Sequence, residues 1–344
     1  MGILPMRYQV RLNNANMPTR PTARLFLVLA VILTGSIVAF VATRDNHATA
    51  QPKAIATAPA QEQSGPTNPD VQTLIDHATS GREAKTEHDA SRLPSDLSAA
   101  DFRRLLAFSI RKRPEKLDSP SWDVVVNDIW NALRRQKSYP PDFAAELIAY
   151  FRNPATTDVL KDYAIQHLGS WISADLSADE GETDLAVRKQ ILAFLAEATR
   201  LRDKSYAGTA LYALDRAILK GGATEEANPA LAPIKAAFVA PLQDAALALL
   251  RDSNASTLAR ISAFQIALER QDARALALSR QIATDASAPP MLRASAIACL
   301  GRIGAPSDID VLAPIARNCI DTRLLGALKP AMENLSKPQA PAGS

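Results

Sequence analysis

Glycine, cysteine, histidine and aromatic residues are all scarce in this 344-residue chain. With 13 glycines, an aromatic share of 5% and a C-terminal two thirds dominated by alanine and leucine, the composition favours close-packed helices over sheets. The histidines are His47, His77, His88 and His167 alone. HExxH, CxxC, nucleophile-elbow, P-loop and dinucleotide-binding patterns are all missing, so recognisable metal, acyl-transfer and nucleotide chemistry have no motif to stand on. A hydrophobic fraction of 47% nevertheless excludes disorder throughout and supplies a substantial core.

Acidic residues and lysine are absent from the first 44 positions, which hold Arg7, Arg11, Arg20, Arg24 and Arg44. Setting those five arginines aside leaves 34 basic against 36 acidic residues, so bulk charge gives no reason to expect nucleic acid as a partner. Residues 25–43 read LFLVLAVILTGSIVAFVAT without a charge, about the length needed to cross a ~30 Å hydrocarbon core as a helix. The arginines before it place an N-terminal arm, 1–24, in the cytoplasm and the remainder outside, in the periplasm if the cell is bacterial. The other reading is a signal cleaved near Ala50, because Ala48-Thr49-Ala50 suits a signal peptidase. Against it, the apolar run exceeds the usual signal core. Both readings put the rest of the chain in the same compartment.

Residues 44–95 are read as a flexible linker, with a short helix at 70–78. From 96 to 335 apolar residues recur at helical spacing in segments divided by Pro, Gly or Asn, before a disordered tail at 336–344. Helices are predicted at 98–111, 120–136, 141–151, 157–172, 184–202, 205–219, 229–250, 256–270, 273–285, 289–303, 307–318 and 322–335. Ser98 with Asp101, Ser119 with Pro120 and Ser307 with Asp310 mark starts, and Gly221 and Gly304 mark stops.

A weak repeat runs through this region. Leu292–Gly301 matches Leu160–Gly169 at Leu, Ala, Ile, Leu and Gly, with Arg293 opposite Lys161. Arg260–Phe264 aligns with Arg293–Ile297, and Thr209–Leu214 gives a fainter copy. In the best copy Leu292, Ala296, Cys299, Leu300 and Ile303 form one stripe, and Val311, Leu312 and Ile315 supply the inward face of the next helix.

The segment LRASAIACLGRIGAPSDIDVLAPI, Leu292–Ile315, resembles a HEAT repeat of the short kind shared with phycobilisome-lyase-type proteins, through Arg293, Ala298, Leu300, Gly301, Ile303, Gly304, Asp308, Val311 and Leu312. The resemblance implies an all-α fold, an α-solenoid of antiparallel helix pairs behind one transmembrane helix, offering an extended surface to a protein or peptide. The expected function is a non-catalytic interaction scaffold outside the cytoplasm, without cofactor, metal or catalytic residue. The alternative is an accessory or lyase-like protein holding a substrate polypeptide or ligand.

Individual residues fit that expectation. His167 sits at the repeat position of Cys299 and is read as packed. Trp122, Trp130 and Trp171 are read as core anchors. Cys299 and Cys319 lie in apolar helical contexts and are read as core residues, although an oxidising space permits a bridge. Asp179, Glu180 and Glu182 fall in a polar connection, and Arg111-Lys112-Arg113 with Lys116 and Arg134-Arg135 with Lys137 complement helix C-termini.

Overall fold

The computed structural model describes residues 68–172, 182–219 and 231–337. The chain divides into Met1–Ala56 and Thr57–Ser344, and all described residues belong to the second unit. The expected transmembrane segment 25–43 and the tail from 338 lie outside them.

Among the described residues every regular element is helical. They are α1 (Pro69–Thr79), α2 (Thr86–Arg92), α3 (Ala99–Ile110), α4 (Ser119–Arg134), α5 (Phe143–Arg152), α6 (Asp158–Ile172), α7 (Glu182–Ala198) and α8 (Tyr206–Leu219). There follow α9 (Leu231–Ala236), α10 (Val239–Arg251), α11 (Thr257–Glu269), α12 (Leu276–Thr284), α13 (Pro290–Ile303), α14 (Ile309–Asn318) and α15 (Thr322–Leu335). Helix pairs contact in sequence: α1 with α2, α3 with α4, α5 with α6, α7 with α8, α10 with α11, α12 with α13, α14 with α15. The second member of each pair also packs on the second member of the next, giving the order α2, α4, α6, α8, α11, α13, α15.

The helical region begins earlier than the sequence reading placed it. Residues 69–92, assigned to the linker apart from 70–78, form α1 and α2 and pack onto α3 and α4. Val71, Leu74 and Ala78 are buried. Residues 81–95 carry few large apolar side chains, so no periodicity betrays them. Polar groups hold them instead: His77 Nδ1 lies 2.6 Å from Asp89 Oδ2, Thr86 Oγ1 donates to Asp128 Oδ2 at 2.7 Å, and Arg135 Nη2 donates to the Ala90 carbonyl at 2.8 Å. The linker reading therefore does not extend to 95.

The single helix expected at 229–250 is broken between α9 and α10. Pro241 has no N–H to return to the Ala237 carbonyl, which lets the chain tighten there, with Phe238 N donating to Lys235 O at 3.0 Å. Local starts also differ in detail. Ser98 accepts from Asp101 N at 3.1 Å as expected, but Asp118 rather than Ser119 caps α4, accepting from Ser121 N at 2.8 Å. Before α14, Asp308 rather than Ser307 does the work, its Oδ2 accepting from Ala305 N at 2.8 Å.

Contacts recur at matching sequence offsets. Arg260 Nη2 donates to Leu250 O at 3.3 Å and Arg293 Nε to Ala283 O at 3.2 Å, each reaching the residue ten positions back. Lys161, aligned with Arg293 in the sequence, sits 5.9 Å above the ring of Phe151, again ten positions back. The aligned glycines share an environment as well. A Cβ on Gly169 would meet Ala213 of α8 at 2.5 Å, and one on Gly301 would run into the backbone of Ala331 of α15. In both places a small residue lets the next helix approach.

Candidate interaction surface

Buried titratable groups are where chemistry would reside. His167 is 6% exposed, its Nε2 is 3.1 Å from Asn127 Oδ1, and its ring meets Trp130 edge-on at 5.6 Å. Burial, and secondarily the positive charge of Arg134, push its pKa down to about 3, so it is a neutral, packed imidazole. Trp130 Nε1 donates to Ser109 Oγ at 2.8 Å, which satisfies the one polar atom of the ring. Trp122 and Trp171 are buried too.

Two carboxylates nearby are less well served. Asp123 has an Oδ1 without a hydrogen-bond partner, and desolvation, opposed by Arg113, raises its pKa to about 6. Asp128 is also raised to about 6 by desolvation, against the hydrogen bond from Thr86. Both sit on α4 beside side chains that pack rather than converge. Among the described residues no group of three or more His, Cys, Asp or Glu is placed to hold a metal ion.

The remaining singled-out residues have local partners or fall outside view. Arg111 lies 4.2 Å above the ring of Phe108, and Arg113 Nη1 donates to Leu117 O at 2.8 Å. Cys299 and Cys319 are both free thiols. Cys299 is buried, and desolvation raises its pKa to about 11, whereas Cys319 is half-buried at the end of α14. Asp179 and Glu180 lie outside the described residues, and Glu182 is the first residue of α7.

Buried charge in the C-terminal helices is paired across neighbouring elements. Asp308 is 2% exposed and takes a two-point contact from Arg280, Nε to Oδ1 at 2.5 Å and Nη2 to Oδ2 at 3.0 Å. Those hydrogen bonds hold its carboxyl below the usual range. Asp215 receives Arg270 Nε at 2.7 Å.

The sequence reading did not find the open surface at the end of this region. A groove of about 650 Å³ lies between α14 and the ends of α12 and α13, with Asp310, Val311, Pro314, Ile315 and Asn318 of α14 along one side, Thr284 and Arg293 opposite, and Asp321 beyond the helix. Its floor includes Leu324, and its rim carries Cys319 and Ile320. Ile320 is 95% exposed. The signal was present in the spacing of Val311, Pro314, Ile315 and Asn318, which is that of one helical stripe. It was read as an inward face because its neighbour Leu312, which is the residue of α14 that is buried, shares the same segment.

Among the described residues one helical stretch, Ala232–Arg251, is long and apolar enough to cross a membrane by length and composition, with mean hydropathy 1.3 and 33% of that window buried. It contains the break before α10, buries Leu242, Leu247, Leu249 and Leu250 in the helical region, and presents Asp244 to Arg274 at 2.9 Å. No protein-family model, curated protein or solved structure matches the chain.

Proposed function

We propose that the chain is a membrane-tethered, non-catalytic interaction module. In this reading residues 25–43 anchor it, the N-terminus is cytoplasmic, and residues 69–337 form a HEAT-like α-solenoid outside the cytoplasm that binds a protein or peptide. The observation that carries the reading is a recurring offset along the helices: Arg260 and Arg293 each donate to the carbonyl ten residues back, and Lys161 at the aligned position lies over the ring of Phe151, also ten residues back. Helix pairs that repeat such contacts stack through nearest neighbours and leave long faces open to partners. The burial of His167 and Cys299, and the pairing of Asp308 and Asp215, give these groups structural roles. Tethering raises the effective concentration of partners held at the same membrane, so a modest interface suffices.

The test is crosslinking in intact cells with a tagged full-length chain, against a control that carries residues 1–67 alone. A protein captured only when residues 69–337 are present is the expected result. Equal capture by both chains would remove the reading.

A further inference from the structure

The end groove has a property that singles out its occupant: it is complementary to itself. On α14 the residues Val311, Pro314, Ile315 and Asn318 recur at 3, 4 and 7 positions and line the groove, while Leu312 points to the core. This is a narrow seam of the kind two helices share. Along one flank of that seam lie Asp310, in the first turn, and Arg317, in the last, seven residues apart and therefore on the same side of the helix. Both are exposed, and neither makes an ion pair with any of the described residues. Arg317 donates only a long 3.4 Å bond to Ala313 O of its own helix.

We propose that this groove is a self-association face, in which α14 of two copies pack antiparallel about a two-fold axis near Pro314. Antiparallel pairing places Asp310 of each copy beside Arg317 of the other, twice over, and joins the two apolar seams. A parallel pair would place the Asp310–Arg317 flanks of the two copies on opposite sides of the seam, so neither charge would meet its opposite. Ile320, just beyond α14, then reaches the N-terminal end of the second copy's seam near Val311. Two-fold interfaces need one patch that carries both a projection and its receptor, and both signs of charge. Here Ile320 and the groove, and Asp310 and Arg317, provide them within one short segment. Ile320, at 95% exposure, does not stand singly but borders a groove whose lining is mainly apolar, with Arg293, Asp310 and Asp321 as its charged members. This goes beyond the interaction-module reading and does not depend on it.

The test uses the full chain in detergent or lipid nanodiscs, with oligomeric state read by sedimentation at micromolar chain concentration. The wild type is expected to be dimeric. Asp310→Arg should weaken the dimer about tenfold or more by facing Arg317 with a like charge, and Asp310→Arg with Arg317→Asp should restore it. Ile320→Asp should give monomer. All three positions are exposed, and helicity by circular dichroism should match the wild type. A monomeric wild type overturns the proposal, as does a dimer that survives both Asp310→Arg and Ile320→Asp, or one that the charge swap fails to restore. A monomer that still captures a partner in cells would leave the interaction-module reading standing, whereas a dimer with no captured partner would leave only this one.

Discussion

The N-terminal and C-terminal parts of the described region stack helices by different means. Between Pro69 and Ile172 the core is built on rings. Phe102 meets Phe143 edge-on at 5.4 Å, Phe108 meets Trp122 at 5.6 Å, and Trp130 meets Tyr150 at 5.8 Å and His167 at 5.6 Å. Between Val239 and Lys337 the one aromatic residue is Phe264. There α13 and α15 approach through Gly301 against Ala331, and the buried carboxylate of Asp308 is matched by Arg280 of α12. Buried polar atoms without a hydrogen-bond partner occur in both parts: Asp123 Oδ1 and His167 Nδ1 in the first, Arg260 Nε and Arg270 Nη2 in the second.

Breaking the ring-built core should have the largest effect. Trp130→Ala removes a side chain that is 1% exposed and leaves Ser109 without its donor, for an expected loss of about 3–5 kcal/mol in denaturant unfolding. A loss below about 1 kcal/mol would show that the rings are peripheral.

The close approach in the second part should be next. Gly301→Leu drives a side chain into Ala331, and overpacking of this kind costs about 1–3 kcal/mol. A neutral substitution would mean that α15 docks loosely.

The carboxylate on α4 gives an effect of opposite sign at neutral pH. Asp123 has its folded pKa raised to about 6, so it disfavours the folded state above that pH, and the penalty is relieved as pH falls through 6 toward the unfolded value. His167, lowered to about 3, acts the other way: the stability of its neutral packing is present above about 6.5 and is lost as pH falls below that value. Asp123→Asn should therefore stabilise the protein at pH 7 by on the order of 1 kcal/mol, allowing for solvent screening. It should also make stability fall more steeply between pH 7 and pH 4.5 than in the wild type. Urea midpoints at several pH values measure both, and an unchanged pH slope would contradict the assignment.

The smallest expected effect is a gain. Gly326 lies inside α15 with nothing near the place a Cβ would occupy, so Gly326→Ala should stabilise by roughly 0.5–1 kcal/mol. Set beside Gly301→Leu on the neighbouring helix α13, it separates the cost of crowding from the cost of glycine itself.

The sequence made the two parts legible to different degrees. From 96 to 335 strong periodicity places the helices within a few residues, and the alignment of Lys161, Arg260 and Arg293 anticipates the shared contacts. Residues 81–95 were missed because Thr86 and Asp89 are buried by hydrogen bonding rather than by apolar area, which leaves no periodic trace. The groove was missed for a different reason. Val311, Leu312 and Ile315 are equally apolar in sequence, and only the packing of α14 shows that Leu312 alone turns inward while the others face an opening. The anchor expected at 25–43, with its arginine flank, is a reading of the sequence alone, and those residues lie outside the described ones.

Hydrogen exchange on the Gly301→Leu variant tests most directly whether these helices form a stack coupled through neighbours. Loss of protection confined to α12–α15, with α3–α6 exchanging as in the wild type, is the expected result. Equal loss of protection from α1 to α15 would contradict it and make the region one cooperative globule.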